Sequence, residues 1–135
     1  MECVFTSTFG HIRWILPSSS IKYLKKLLLP LCNVVTPNIP EAEILTGYSI
    51  LNKTQMIKAA KKIISMGAKN VLLKGGHLKN KMIFDILVSK NKVKIFKKRK
   101  IATKHTHGTG CTLSSALATC LSQKKNLYRS CKVSL

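Results

Sequence analysis

The 135 residues carry 24 Lys and Arg against 4 Asp and Glu, a formal charge of +20, and 45% of them are hydrophobic. That length and apolar fraction suit one folded domain and exclude a generic disordered chain. The charge alone would suggest an anionic partner such as nucleic acid or a membrane surface. Only three of the basic residues are Arg, however (Arg13, Arg99 and Arg129), and Arg is the residue favoured for bidentate readout of bases and phosphates. The excess of Lys therefore points to compositional drift rather than to selected nucleic-acid binding. Five scattered cysteines (Cys3, Cys32, Cys111, Cys120, Cys131) form no C-x-x-C pair. They argue against a zinc ribbon or a disulfide scaffold and for reduced thiols. No basic segment leads into an unbroken apolar core, and no apolar run reaches the ~18 residues of a membrane span. The expectation is a soluble, cytoplasmic protein.

Residues 1–17 show no clear period and no caps. Ser18, Ser19 and Ser20 offer N-caps to a helical stretch bearing Ile21, Leu24, Leu27, Leu28 and Leu31, which Pro30 should disturb or end. Asn33–Thr36 reads as a short β-branched strand stopped by Pro37, and a short helix from Glu41 to Leu45 should end at Gly47. Asn52-Lys53-Thr54-Gln55 has the form of a capping box. The helix after it carries Met56, Ile57, Ala60, Ile63 and Ile64 at helical spacing, with Gly67 beyond its end. Asn70–Lys74 reads as a buried strand ended by Gly75-Gly76. Ile83–Ser89 and Lys92–Lys97 form a predicted hairpin about Lys90-Asn91, its second strand alternating Val93 and Ile95 with Lys92 and Lys94 as a half-buried strand would. The last predicted helix runs through Leu113, Ala116, Leu117, Cys120 and Leu121. This order of elements argues for an α/β architecture, a central sheet flanked by helices.

Three segments could carry chemistry. In His107-Gly108-Thr109-Gly110-Cys111-Thr112, two glycines before a helix let backbone N–H groups converge on an anion at the positive end of the helix dipole. Thr109 and Thr112 add hydroxyls, and Cys111 would sit where a thiol's pKa is lowered. A phosphate cradle beside a titratable group is what phosphoryl transfer needs. The competing reading is an ordinary glycine loop and a small buried Cys. In the second segment, Asn38 and Glu41 stand three apart just past a strand end, where they could face one crevice and hold Mg²⁺ through water beside phosphates. The competing reading is a helix cap followed by a first-turn acid. Two of the four acids, Glu41 and Glu43, fall in this segment. In the third, Lys74 could reach a phosphate while Gly75 and Gly76 let a ligand approach the backbone. The competing reading is a Lys closing a strand before a turn. Apart from Lys74, the lysines have no assigned role. Asp85 is the remaining acid downstream, and alternation does not fix its face. His105 and His107 lack metal-ligand spacing.

Together VVTPNIPEAEILTG, VLLKGGHL and THGTGCTLSSALA resemble the hydroxymethylpyrimidine/phosphomethylpyrimidine kinases of thiamine biosynthesis, members of the ribokinase-like superfamily. The resemblance runs from Leu28 to Gln123. Its most specific piece is THGTGCTLS, since this sub-family has Cys where most ribokinase-like enzymes, pyridoxal kinases included, have Asp. The resemblance implies ATP- and Mg²⁺-dependent phosphorylation of 4-amino-5-hydroxymethyl-2-methylpyrimidine and then of its monophosphate. It implies an anion hole at Gly108, Thr109 and Gly110 and a catalytic base at Cys111. Asn38 and Glu41 match the pair that helps hold Mg²⁺, and Lys74 and Gly76 match the nucleotide side, with Thr112 beside them.

The expected organisation is residues 1–17 unassigned and read in a non-native frame, 18–123 the C-terminal part of a ribokinase-like kinase domain whose N-terminal half is missing, and 124–135 an atypical tail. The expected partners are the pyrimidine, ATP, and either a second copy or a separate polypeptide carrying the other half. The alternatives are a pyridoxal kinase-like enzyme, and a non-catalytic remnant acting as a basic nucleic-acid-binding module.

Overall fold

The computed structural model describes residues 4–5, 18–76, 82–99 and 109–135. A five-stranded sheet, ordered as in the chain, is built from β1 (Val4–Phe5), β2 (Val34–Val35), β3 (Asn70–Leu73), β4 (Met82–Ser89) and β5 (Lys92–Arg99). β1, β2 and β3 run parallel, and β3, β4 and β5 antiparallel. The sheet is thus mixed, with helices on both faces, as expected of an α/β chain. Residues 1–17, without a readable period, contribute β1 at the edge next to β2.

Alternation along the strands sorts the core into two. Val35, Val71, Leu73, Ile86 and Val88 point to one face, where α2 (Ile39–Thr46) and α3 (Lys53–Ser65) cover them with Leu45, Met56 and Ile63. Val34, Leu72 and Leu87 point to the other, under Leu113, Leu117 and Leu121 of α4 (Thr109–Ser122) and Cys131 of α5 (Leu127–Ser134). A central strand buried on both sides needs such continuous apolar runs, and VLL and ILV supply them.

Pro30 acts as expected. α1 (Ser18–Tyr23) widens into a π turn at Leu24–Leu28, where the Leu29 N–H reaches back to the Leu24 carbonyl, and then tightens into a 3₁₀ turn at Leu29–Leu31. A proline without an N–H, its ring crowding the preceding turn, forces such a change of pitch. α2 begins at Ile39, ahead of the expected Glu41, because Asn38 is its cap. It ends at Gly47, whose left-handed φ of 83° favours glycine. At α3 the Asn52 side chain accepts the Gln55 N–H at 2.9 Å. The Gln55 side chain returns to the N–H of Leu51, one residue before the cap, at 2.6 Å.

One expectation is corrected. Val93 and Ile95 are not the half-buried side of β5: they stay 37% and 43% exposed. The helix on their face, α3, packs mainly on β3 and β4, inside the edge strand. The half-buried residue of β5 is Phe96 on the opposite face, stacked on Tyr128 at 5.5 Å between ring centroids. Residues 124–135, expected as a tail, contain the capped helix α5. Asn126 accepts the Arg129 N–H at 2.8 Å, and Ser130 and Cys131 are buried. Among the described residues no helix is long and apolar enough to cross a membrane.

Candidate functional site

The C-terminal ends of the parallel strands β2 and β3 lie side by side, and the candidate segments leave from them. Past β2 the chain runs through Thr36, Pro37 and Asn38. Past β3 it runs through Lys74, Gly75 and Gly76. The Lys74 N–H donates to the Pro37 carbonyl at 2.9 Å, and Asn38 and Lys74 form a parallel bridge. Two segments 36 residues apart in sequence are thereby joined into one rim.

Asn38 and Glu41 form a reciprocal capping box. Asn38 Oδ1 accepts the Glu41 N–H at 2.9 Å, and Glu41 Oε2 accepts the Asn38 N–H at 2.9 Å. Pro40, in the first turn, has no N–H to leave unpaired. The helix-cap reading is therefore realised in full. It also holds a carboxylate, only 1% exposed, at the start of a helix. The neighbouring acid acts elsewhere, since Glu43 Oε1 accepts the Ile50 N–H at 2.7 Å and closes the turn after α2.

The two glycines of the third segment differ. A Cβ on Gly75 would run into the Phe84 carbonyl oxygen, so β4 passes too close for any side chain. A Cβ on Gly76 would meet nothing within 4 Å. Gly75 is a packing glycine, and Gly76 is the exposed one, open to an approaching group. His77 lies outside the described residues.

The first turn of α4 is made by Thr109, Gly110, Cys111 and Thr112, and Thr112 is exposed. Gly108, like His105 and His107, lies outside the described residues. The helix is anchored next to the rim by a buried contact, Thr36 Oγ1 to Ser114 Oγ at 3.3 Å. Its N-terminal end therefore belongs with the ends of β2 and β3.

Sequence reasoning missed three residues of this region. Thr36 and Ser114 pair across 78 positions, and no local pattern announces them. Asp85 is 2% exposed beneath the Gly75 loop: its Oδ1 accepts the Gly75 N–H at 2.9 Å, and its Oδ2 pairs with Lys98 Nζ at 3.0 Å. A lone acid in the apolar strand MIFDILVS was the available signal, because a buried carboxylate needs a partner. Lys98 also corrects the expectation that Lys74 alone among the lysines has a role.

The donor set fits a hard cation shared with phosphates. Among the described residues no group of three or more His, Cys, Asp or Glu could enclose a metal by itself. The rim offers one buried carboxylate and one amide oxygen. Mg²⁺ takes oxygen ligands, commonly one or two carboxylates, with water and phosphate oxygens completing the octahedron.

Comparison with known proteins identifies the family of the chain. The chain is 49% identical over 104 residues to the thiamine biosynthesis bifunctional protein ThiED of Geobacter sulfurreducens, covering 77% of the chain and 21% of that protein. It is 40% identical over 132 residues to the hydroxymethylpyrimidine/phosphomethylpyrimidine kinase of Aquifex aeolicus, covering 98% and 51%. Among solved structures, the phosphomethylpyrimidine kinase of Clostridium difficile 630 superposes with a TM-score of 0.79 at 34% identity, covering 98% of this chain and 52% of that one. The pyridoxal kinase of Staphylococcus aureus in complex with AMP-PCP superposes with a TM-score of 0.87 at 26% identity, covering 99% and 50%. The chain thus spans about half the length of these relatives, or less. The family model described as phosphomethylpyrimidine kinase matches residues 3–134, a span that takes in β1 and α5. With that match over nearly its whole length, the chain belongs to the phosphomethylpyrimidine kinase family.

Proposed function

We propose that this chain provides the ATP- and Mg²⁺-binding side of a cytoplasmic kinase of thiamine biosynthesis. The enzyme would phosphorylate 4-amino-5-hydroxymethyl-2-methylpyrimidine and then its monophosphate. The observation that carries the reading is the convergence of three segments at one sheet end, through the Asn38–Lys74 bridge and the Thr36–Ser114 contact. Ligands of open α/β sheets bind outside the carboxyl ends of the strands.

In this reading the backbone N–H groups of Gly108, Thr109 and Gly110 receive the transferred phosphoryl group at the start of α4, where unpaired donors and the helix dipole favour negative charge. The thiolate of Cys111 takes the proton of the pyrimidine's hydroxymethyl group. The hydroxymethyl oxygen then bonds to the γ-phosphorus, and the bond from phosphorus to the β,γ-bridging oxygen breaks to release ADP. Asn38 and Glu41 hold Mg²⁺ through water, and when bound the ion supplies charge neutralisation on the phosphate oxygens. Lys74, the open backbone at Gly76 and the Thr112 hydroxyl contact the nucleotide. Residues beyond this chain, from the same or a second polypeptide, complete the pyrimidine pocket.

The test is twofold. Calorimetry with AMP-PCP and Mg²⁺ should detect nucleotide binding by the chain itself, and its absence would remove the reading. Supplied with the N-terminal half of the Aquifex aeolicus relative, the chain should phosphorylate the pyrimidine, and Cys111→Ala should lower that rate by about 10²–10⁴-fold, the range for loss of a general base. A rate unaffected by Cys111→Ala would take the base role from Cys111.

A further inference from the structure

We infer that Asp85 is a positioning residue for the nucleotide: through the Gly75 N–H it fixes the path of the loop whose next residue, Gly76, presents its backbone to the ligand. The inference rests on the reading of Lys74–Gly76 as the nucleotide side. β3 pairs with β4 as far as Leu73 opposite Ile86, and there the ladder stops while β4 continues to Met82 beside β5. Two residues on, Gly75 would lose its ladder partner. The carboxylate of Asp85 takes the place of a strand carbonyl and accepts its N–H at 2.9 Å.

The loop is held from both sides at this point. On the β2 side the Lys74 N–H donates to the Pro37 carbonyl at 2.9 Å. On the β4 side Asp85 holds Gly75, and the missing Cβ lets the Phe84 carbonyl pass within contact. Gly76, free of such neighbours, starts from a fixed origin.

A carboxylate 2% exposed is costly to keep charged, and Lys98, diagonal to it on β5, offsets the cost with an ion pair of 3.0 Å. Lys98 is 42% exposed on its side chain, so its own charge keeps water. It also donates to the Leu135 carbonyl at 3.4 Å, which links α5 to the same clamp. Asp85 does not touch a reacting atom. It acts through the loop, and its signature is on nucleotide affinity.

The experiment uses the full chain with AMP-PCP and Mg²⁺, read by calorimetry, together with amide hydrogen exchange at Gly75. Asp85→Ala should weaken AMP-PCP binding by about tenfold or more, the scale of a lost hydrogen bond to a charged group, and speed Gly75 exchange by a similar factor. Asp85→Asn keeps the acceptor and should rescue most of both. Lys98→Met should weaken binding by a smaller factor than Asp85→Ala, and it serves as the second variant should Asp85→Ala fail to fold. AMP-PCP affinity equal to wild type in folded Asp85→Ala, or in Lys98→Met where Asp85→Ala does not fold, overturns this inference alone. Absence of AMP-PCP binding by the wild-type chain overturns the nucleotide-side reading and this inference with it.

Discussion

The hydroxyls of Thr36 and Ser114 lie 3.3 Å apart in the buried seam between the end of β2 and α4, although 78 residues separate them. This contact ties the helix that would cradle a phosphate to the strand end that would carry the metal pair. A double-mutant cycle with Thr36→Val and Ser114→Ala should give a coupling energy of about 0.5–1.5 kcal/mol by denaturant unfolding. A coupling near zero would mean that α4 is held by its apolar face alone.

Asn38 and Glu41 invite a separation of structural from chemical roles, since one pair serves both. Asn38→Ala should cost about 1 kcal/mol of stability through loss of the cap, and Asn38→Asp should retain the cap. Glu41→Gln still offers an oxygen to the Asn38 N–H, so its thermal midpoint should stay close to wild type. Its Mg²⁺-dependent AMP-PCP affinity should nevertheless fall, because the charge has gone. If Glu41→Gln binds Mg²⁺ and AMP-PCP as wild type does, the acid is a cap and nothing more.

The two adjacent glycines should respond in opposite ways. Gly75→Ala drives a Cβ into the Phe84 carbonyl oxygen and should destabilise by several kcal/mol, on the order of the larger packing and strain effects of single substitutions. At Gly76 the space is open, and Gly76→Ala should melt within a few degrees of wild type while weakening AMP-PCP binding. Thermal melts and calorimetry of the two variants side by side check both halves.

Burial pushes the Cys131 thiol up to about 12 from its ordinary 9.0. The folded chain therefore holds that proton more tightly than the unfolded chain does. The stability this contributes is complete below about pH 9 and is lost as pH rises through the folded value. Chemical denaturation between pH 8 and 11 should show a decline that is shallower in Cys131→Ala. Alkylation of Cys131 at pH 8 should require unfolding, because the thiolate is the reactive species.

Much of the fold was readable in the chain because it is written at short range. Asn38 with Glu41 and Asn52 with Gln55 are three residues apart, Gly47 ends the helix that Asn38 starts, and VLL and ILV are continuous apolar runs; each acts through neighbours in sequence. α5 escaped notice because its segment is short and mostly polar, and it becomes a helix by burying Cys131 and Ser130 against the rest of the chain. The exposure of Val93 and Ile95 depended on how far α3 reaches across the sheet, which alternation cannot report.

By itself, then, the sequence determined the order of the elements from α1 to α4, the caps of α2 and α3 and the three candidate segments, and with them the family. The tertiary structure decided which residues meet: Asn38 with Lys74, Thr36 with Ser114, and Asp85 with both Gly75 and Lys98. Propensity and capping are local free energies that any stretch of chain carries with it. The pairing of a buried hydroxyl or carboxylate depends on the low-dielectric interior made by distant strands packing together, where an unpartnered polar group is too costly to leave.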